Sequence, residues 1–203
     1  MKRAIGLFGL FFAAMTSQAV VVAFSTHGPA FSAKTQGWGY GDIKDTRIAS
    51  QFSPSISGAL HSIALSLQSG SGTKVTKVSL FKDSGNDIGS LLAIFEADVS
   101  TGGLKTLNNS NPDLQLVSGE KYWIESSAAI GSGMYGAWNE NNQGIRGFMK
   151  FGQVNQTPNS TYNVGPNGSL PAFTVNVTPV PEPSTLLAMG FFASMTALRR
   201  RTG

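Results

Sequence analysis

The chain has no cysteine, and this absence removes disulfides, Cys-ligated structural zinc and thiol nucleophiles in one step. Histidine is almost as scarce: only His27 and His61 occur, far apart in sequence. No His-Glu-x-x-His metal motif and no Gly-x-Ser-x-Gly nucleophile elbow is present. Amphipathic helical periodicity is lacking too, and charged residues make up only 13% of the chain. The net charge of +4 and pI near 9.5 would suit a phosphate-binding partner, but its distribution argues otherwise. Five of the fifteen basic residues (Lys2, Arg3, Arg199, Arg200, Arg201) lie in the two end segments, leaving ten basic and ten acidic residues between them. The central region is formally neutral and has no Lys/Arg cluster, so nucleic acid is excluded as a partner.

What the chain does have begins at its ends. Lys2-Arg3, the apolar stretch Ala4 to Met15 and the small residues of Ser17-Gln18-Ala19 follow the order of a secretory signal peptide. The expected cut is after Ala19, with a second candidate after Ala23, and Sec is the expected export partner. The apolar run is short for a bilayer span, which wants about 20 residues; a buried N-terminal helix or a retained anchor are the alternatives. At the other end, Thr178-Pro179-Val180-Pro181-Glu182-Pro183 breaks regular structure, because prolines lack the N–H that helices and sheets use. Ser184 to Leu198 is then apolar or small throughout and runs into Arg199-Arg200-Arg201. A short hydrophobic helix over 184–198, stopped by a cytoplasmic basic cluster, is the expectation. It implies membrane contact through the C-terminal tail.

Between the ends, short runs of β-branched and aromatic residues alternate with Gly, Ser, Asn, Asp and Pro clusters. This predicts an all-β domain over 20–178, an antiparallel β-sandwich of jelly-roll-like kind with two packed sheets. Strands are expected at 47–52, 60–67, 75–81, 91–95, 114–117, 121–126, 134–138, 147–151 and 173–177. In 60–67, Ile63, Leu65 and Leu67 alternate with Ala64 and Ser66; in 75–81, Thr76, Val78 and Leu80 share one face. The polar stretch 152–170 reads as a loop or an irregular excursion.

Val180-Pro181-Glu182-Pro183-Ser184-Thr185-Leu186-Leu187, with the apolar run and terminal arginines behind it, resembles the PEP-CTERM sorting signal of Gram-negative bacteria. The resemblance covers 179–203 and makes Pro181, Glu182 and Pro183 the sorting motif and Arg199, Arg200 and Arg201 the basic stop. It implies processing by an exosortase, a membrane transpeptidase-like enzyme, and a producer of exopolysaccharide. It places the protein at the cell surface, outer membrane or extracellular matrix. The alternative is a proline-rich linker into a permanent membrane helix. The physical logic is that of a GPI signal, where a weak hydrophobic tail holds the chain at the membrane until cleavage. Leu116-Val117-Ser118-Gly119-Glu120-Lys121-Tyr122-Trp123-Ile124, with the region around Asp83 and Pro171 to Val175, is similar to the choice-of-anchor R type of bacterial surface domain. That likeness implies an extracellular module.

Candidate chemistry in the domain is thin. Trp38 and Tyr40 in Gly37-Trp38-Gly39-Tyr40-Gly41, with Tyr135 and Trp138 in a second Gly- and Asn-rich region, are candidate glycan contacts if their rings are exposed; sandwich-edge packing is the alternative. Asp83, Asn86 and Asp87 have the composition of a calcium loop without EF-hand spacing, and a plain turn is the competing reading. A carboxylate pair for glycoside hydrolysis would have to come from Asp42, Asp45, Glu96, Asp98, Glu120, Glu125 and Glu140, with nothing in the order to say which two face each other. The expectation is therefore no catalytic residue and no cofactor: a structural or adhesive surface component, with a lectin-like module as the alternative and a glycan-active enzyme behind it.

Overall fold

The structure is a computed structural model and describes residues 18–34, 36–42, 46–72, 74–128, 132–153 and 160–180. The expected signal helix over 1–19 and the expected hydrophobic helix over 184–198 lie essentially outside these residues. Among the described residues the chain is all-β, its one helical element being a 3-10 turn at Pro29–Phe31. No described helix is long and apolar enough to cross a membrane.

Thirteen strands follow in order: β1 (Val21–Ser25), β2 (Gly37–Gly41), β3 (Thr46–Phe52), β4 (Gly58–Ser71), β5 (Val75–Asp83), β6 (Ile88–Asp98) and β7 (Gly103–Asn108). Then come β8 (Gln115–Leu116), β9 (Tyr122–Ala128), β10 (Tyr135–Asn139), β11 (Arg146–Gln153), β12 (Ser160–Ser169) and β13 (Phe173–Pro179). Hydrogen bonding joins them into one antiparallel sheet, ordered β1-β13-β4-β10-β2-β3-β9-β5-β6, with β7 and β8 on β4 and the β11–β12 hairpin on β3. Two separate sheets were expected; one continuous sheet is found. The reason is the length of β4. Its first eight residues pair with β13, while Leu67, Gln68 and Ser71 pair with β10, so one strand serves two neighbours end to end. Gly41↔Thr46 then carries the sheet from β2 to β3.

The continuous sheet turns back on itself, sandwich-like. Phe24 of β1 and Phe173 of β13 reach Phe52 of β3, with ring centroids 5.6 and 5.9 Å apart, although neither strand is hydrogen-bonded to β3. Tyr40 Oη of β2 likewise meets Thr76 Oγ1 of β5 at 2.7 Å. Ile63, Leu65, Leu67, Val78, Leu80, Ile124 and Trp138 fill the space between. Each such side chain contributes about 1.5–3 kcal/mol on burial.

All nine expected strands are present. Thr76, Val78 and Leu80 share the buried face of β5 as predicted. In β4, however, Ser62, Ala64 and Ser66 are buried as well as Ile63, Leu65 and Leu67. Asn176 Nδ2 donates to Ser62 Oγ and Asn139 Nδ2 to Ser66 Oγ, so the second face is covered by amides instead of water. The expectation of a loop at 152–170 is corrected: 160–169 is β12. Its Gly, Pro and Asn content hides it from pattern reading, and an edge strand tolerates such residues because only one side must pair.

β1 bears on the two expected signal-cleavage points. Val21 and Val22 pair with Val177 and Asn176, Ala23 is buried, and its carbonyl accepts from both Ser55 N and Ser55 Oγ. A cut after Ala19 leaves this strand whole; a cut after Ala23 removes three of its five residues. We expect a chain starting at Phe24 to be less stable than one starting at Val20 by about 1–3 kcal/mol, read as a lower urea midpoint at unchanged slope.

Candidate functional site

The β5–β6 turn gathers a cluster of polar side chains over a buried tryptophan. Trp123 lies on β9, opposite Phe81 of β5 and Gln51 of β3. Its indole donates to Asp83 Oδ1 at 2.6 Å, and Gln51 Nε2 donates to the same oxygen at 2.7 Å. Asp83 Oδ2 accepts the Asn86 N–H, closing a turn in which Asn86 holds φ 68°; a short amide side chain tolerates that left-handed conformation. Two lysines complete the cluster. Lys121 Nζ donates to Asn86 Oδ1 at 2.7 Å, while Lys150 Nζ bonds Asp87 Oδ1 and lies 5.5 Å from the Trp123 ring centroid.

Burial pushes the Asp83 carboxyl up, but the N–H of Asn86, the indole, the Gln51 amide and the Lys121 charge together hold it below the usual carboxylate range. Asp87 is held low chiefly by the Lys150 hydrogen bond, then by the Ile88 N–H. These oxygens already face N–H donors and ammonium groups. No group of three or more His, Asp or Glu side chains among the described residues is arranged to hold a metal ion. In this structure Asp83, Asn86 and Asp87 form a turn whose first carboxylate caps the Trp123 indole. Sequence reasoning missed Gln51, Lys121 and Lys150 because they come from strands and turns distant in the chain.

The glycan candidates separate. Tyr40 and Trp138 are fully buried, 0% exposed, and so are corrected to core residues that cannot stack on a sugar. Burial raises the Tyr40 hydroxyl to about 12, against the lowering effect of its hydrogen bond to Thr76. Trp138 donates to Ala172 O at 3.0 Å. Trp38 is half-buried, its indole donating to Ser169 O, and only Tyr135 is exposed, at 55%. The glycines explain the arrangement. β2 and β10 pair so that Gly136 faces Tyr40 and Gly39 faces Ala137. A Cβ on Gly136 would meet the Tyr40 ring, and one on Gly39 would meet Tyr135. Each ring thus lies across the bare backbone of the neighbouring strand, and the Gly-Trp-Gly-Tyr-Gly stretch is an ordered strand.

His27 occupies a different place. Its Nδ1 is 3.0 Å from Thr174 Oγ1, which is 2.7 Å from Ser25 Oγ, and Phe31 meets the ring edge-on at 5.5 Å. Nε2 has no hydrogen-bond partner, and burial lowers the imidazole to about 4. Ala30 and Phe31 hold φ of 53° and 58°, a strained pair for non-glycine residues. A groove of about 240 Å³ runs beside them. The ring has hydroxyl neighbours but no hydrogen-bonded carboxylate to orient it as a base. His61 is exposed on β4. Among the expected carboxylates, Glu125 lies near Arg47 of the neighbouring strand at 3.7 Å, Glu120 near Lys82 at 3.3 Å and Glu140 near Lys34 at 3.0 Å, so each of the three is ion-paired. A larger groove, about 520 Å³, lies between β6 and β7, with Leu92 and Phe95 on one side and Leu107, Asn108 and Asn109 on the other.

The remaining candidate is the C-terminal exit. Pro179 closes β13 opposite Gly58, which is itself opposite Leu116. β1 runs antiparallel on the other edge of β13, with Val21 opposite Val177. The domain therefore releases its C-terminus beside the point where its first strand begins. Residues 179–201 match the PEP-CTERM protein-sorting motif. The PEP-CTERM motif implies an exported protein, processed by an exosortase and directed to the envelope or surface of a Gram-negative bacterium. It begins at the last residue of β13, and Pro181, Glu182, Pro183 and Arg199 to Arg201 lie beyond the described residues. Comparison with curated proteins gives no match.

Two outcomes follow from the cluster and from His27. Replacing Asp83 with Ala leaves the buried indole and the Gln51 amide without their acceptor, and we expect a loss of about 1–3 kcal/mol, measured by urea unfolding; added calcium should leave the wild-type midpoint unchanged. For His27, the folded pKa near 4 lies below the ordinary value of 6.5, so the unfolded chain binds the extra proton first. Stability should then fall as pH drops from about 6.5 toward 4. Acid unfolding of His27→Gln should lack that part of the slope.

Proposed function

We propose that this is a non-catalytic structural or adhesive component of the cell surface or exopolysaccharide matrix, exported through Sec, held at the membrane by its tail and released or transferred by an exosortase. The observation that carries the reading is the junction itself. The sorting motif starts where β13 ends, so processing within it leaves the sheet intact. A domain built to survive loss of both ends suits a product whose place of work is outside the cell. The likeness of 116–124 to choice-of-anchor R domains supports an extracellular module, and a jelly-roll-like sandwich belongs to the same reading.

A lectin-like role is the second reading, favoured by one observation. The groove between β6 and β7 is lined by Thr106, Asn108, Asn109, Ser110 and Asn111 beside Leu92 and Phe95, amides next to apolar carbon as sugar recognition requires. A glycan array on the protein separates the two readings: sugar binding that is lost in Asn108→Ala favours the second, and absence of binding favours the first.

The sorting step has its own test. We expect replacement of Pro181, Glu182 and Pro183 together by Ala to leave unfolding of the β domain unchanged while the protein fails to reach its surface location. Mass spectrometry of the wild-type mature C-terminus in its native host should show that Arg199 to Arg201 are gone. Retention of the arginines with the sorting machinery intact would make the tail a permanent anchor.

A further inference from the structure

We infer that the end of the domain from which the tail leaves is a lipid-contact surface, an apolar rim of Val20, Ile56, Val117 and Val180 that rests on the bilayer while the tail is uncut. This rests on the tail being held in the membrane, as proposed above.

The strand register assembles the rim. Pro179, Gly58 and Leu116 form one row across β13, β4 and β8. The residues just outside that row are Val180 and Val117, which are 57% and 46% exposed. Ile56, 38% exposed, sits in the loop between β3 and β4. That loop is tied to the turn after β8 by three hydrogen bonds: Ser118 N to Ser57 Oγ, Ser118 Oγ to Ser55 O, and Gly119 N to Pro54 O. Ile56 thereby lies in the segment held against the turn that Val117 enters. Val20, 46% exposed, immediately precedes the Val21↔Val177 pair. Four aliphatic side chains from four separate segments thus surround one chain exit.

The chain beyond that exit names the occupant. Only Pro181, Glu182 and Pro183 separate Val180 from the apolar run Ser184 to Leu198, and three extended residues reach roughly 10 Å. A tail whose apolar run is in the bilayer keeps the rim at the headgroup level. Four half-exposed aliphatics are a small interface for a free partner, but the tether makes the contact intramolecular and raises its effective concentration. Among the described residues the rim is aliphatic, and short aliphatic side chains mix with acyl chains and headgroup boundary without specific pairing. Comparable exposed residues at the opposite end, Val75 and Tyr135, have no tether beside them.

The absence of cysteine gives a clean experiment. Single Val117→Cys, Ile56→Cys and Val75→Cys variants of the full chain, labelled with an environment-sensitive fluorophore, are reconstituted with the tail present into phosphatidylethanolamine and phosphatidylglycerol vesicles. The expected result is blue-shifted emission, loss of iodide quenching and gain of quenching by spin-labelled lipid at 117 and 56, with an aqueous spectrum at 75. Flotation with the vesicles and aqueous spectra at all three positions would overturn the rim while leaving the tail reading in place. A shift at 117 and 56 only when exosortase-bearing membranes replace the vesicles would overturn it in favour of a protein contact. Failure to float at all would overturn the membrane-held tail and the rim with it. The two rim positions back each other if one substitution impairs folding.

Discussion

The pairing of β4 is the constraint on which the rest of the structure hangs. Fourteen residues long, it is hydrogen-bonded to β13 and β10 along one edge and to β8 and β7 along the other. Because side chains alternate with period two, a one-residue slip would send Ile63, Leu65 and Leu67 to the amide-covered face and Ser62 and Ser66 into the apolar core. Both sets are buried, so both would be penalised. The register of four neighbours is set through this one strand, and with it the place where β13 ends and the tail begins.

Residues with chemical potential are largely used for construction. Asp83, Asp87, Lys121 and Lys150 look reactive as a set, yet their charges and hydrogen bonds neutralise one another around the Trp123 indole. A buried N–H without an acceptor is costly, and a carboxylate fixed by the turn meets that need. The aromatic residues of β2 and β10 follow the same logic. Tyr40 and Tyr135 cover glycines on the facing strand, one ring toward the core and one toward solvent, which stiffens a stretch whose composition alone promises flexibility.

Export and architecture meet at one end of the molecule. The antiparallel pair β1–β13 puts the first strand of the domain next to its C-terminal exit, so the segments flanking the sheet leave it at neighbouring points and cross no interior strand. For a chain without disulfides this matters, since stability outside the cell rests on the core and on both terminal strands staying paired.

Much of this was legible in the linear order of residues. The strands at 60–67 and 75–81 declare themselves by alternation, and the tail by a local motif with its apolar run and arginines; both are local signals, carried by neighbours in the chain. The formal neutrality of the domain is likewise a matter of counting. What only the tertiary structure decided depends on distant partners. β12 becomes a strand because β11 offers it an edge. Tyr40 and Trp138 are core rings and Tyr135 a surface one because of which strand each faces. Asp83 serves an indole forty residues away, and Val117 joins Val20 and Val180 at one rim because β4 brings their strands into register. A sequence records the side chains, whereas burial and pairing are properties of the pairs that folding creates.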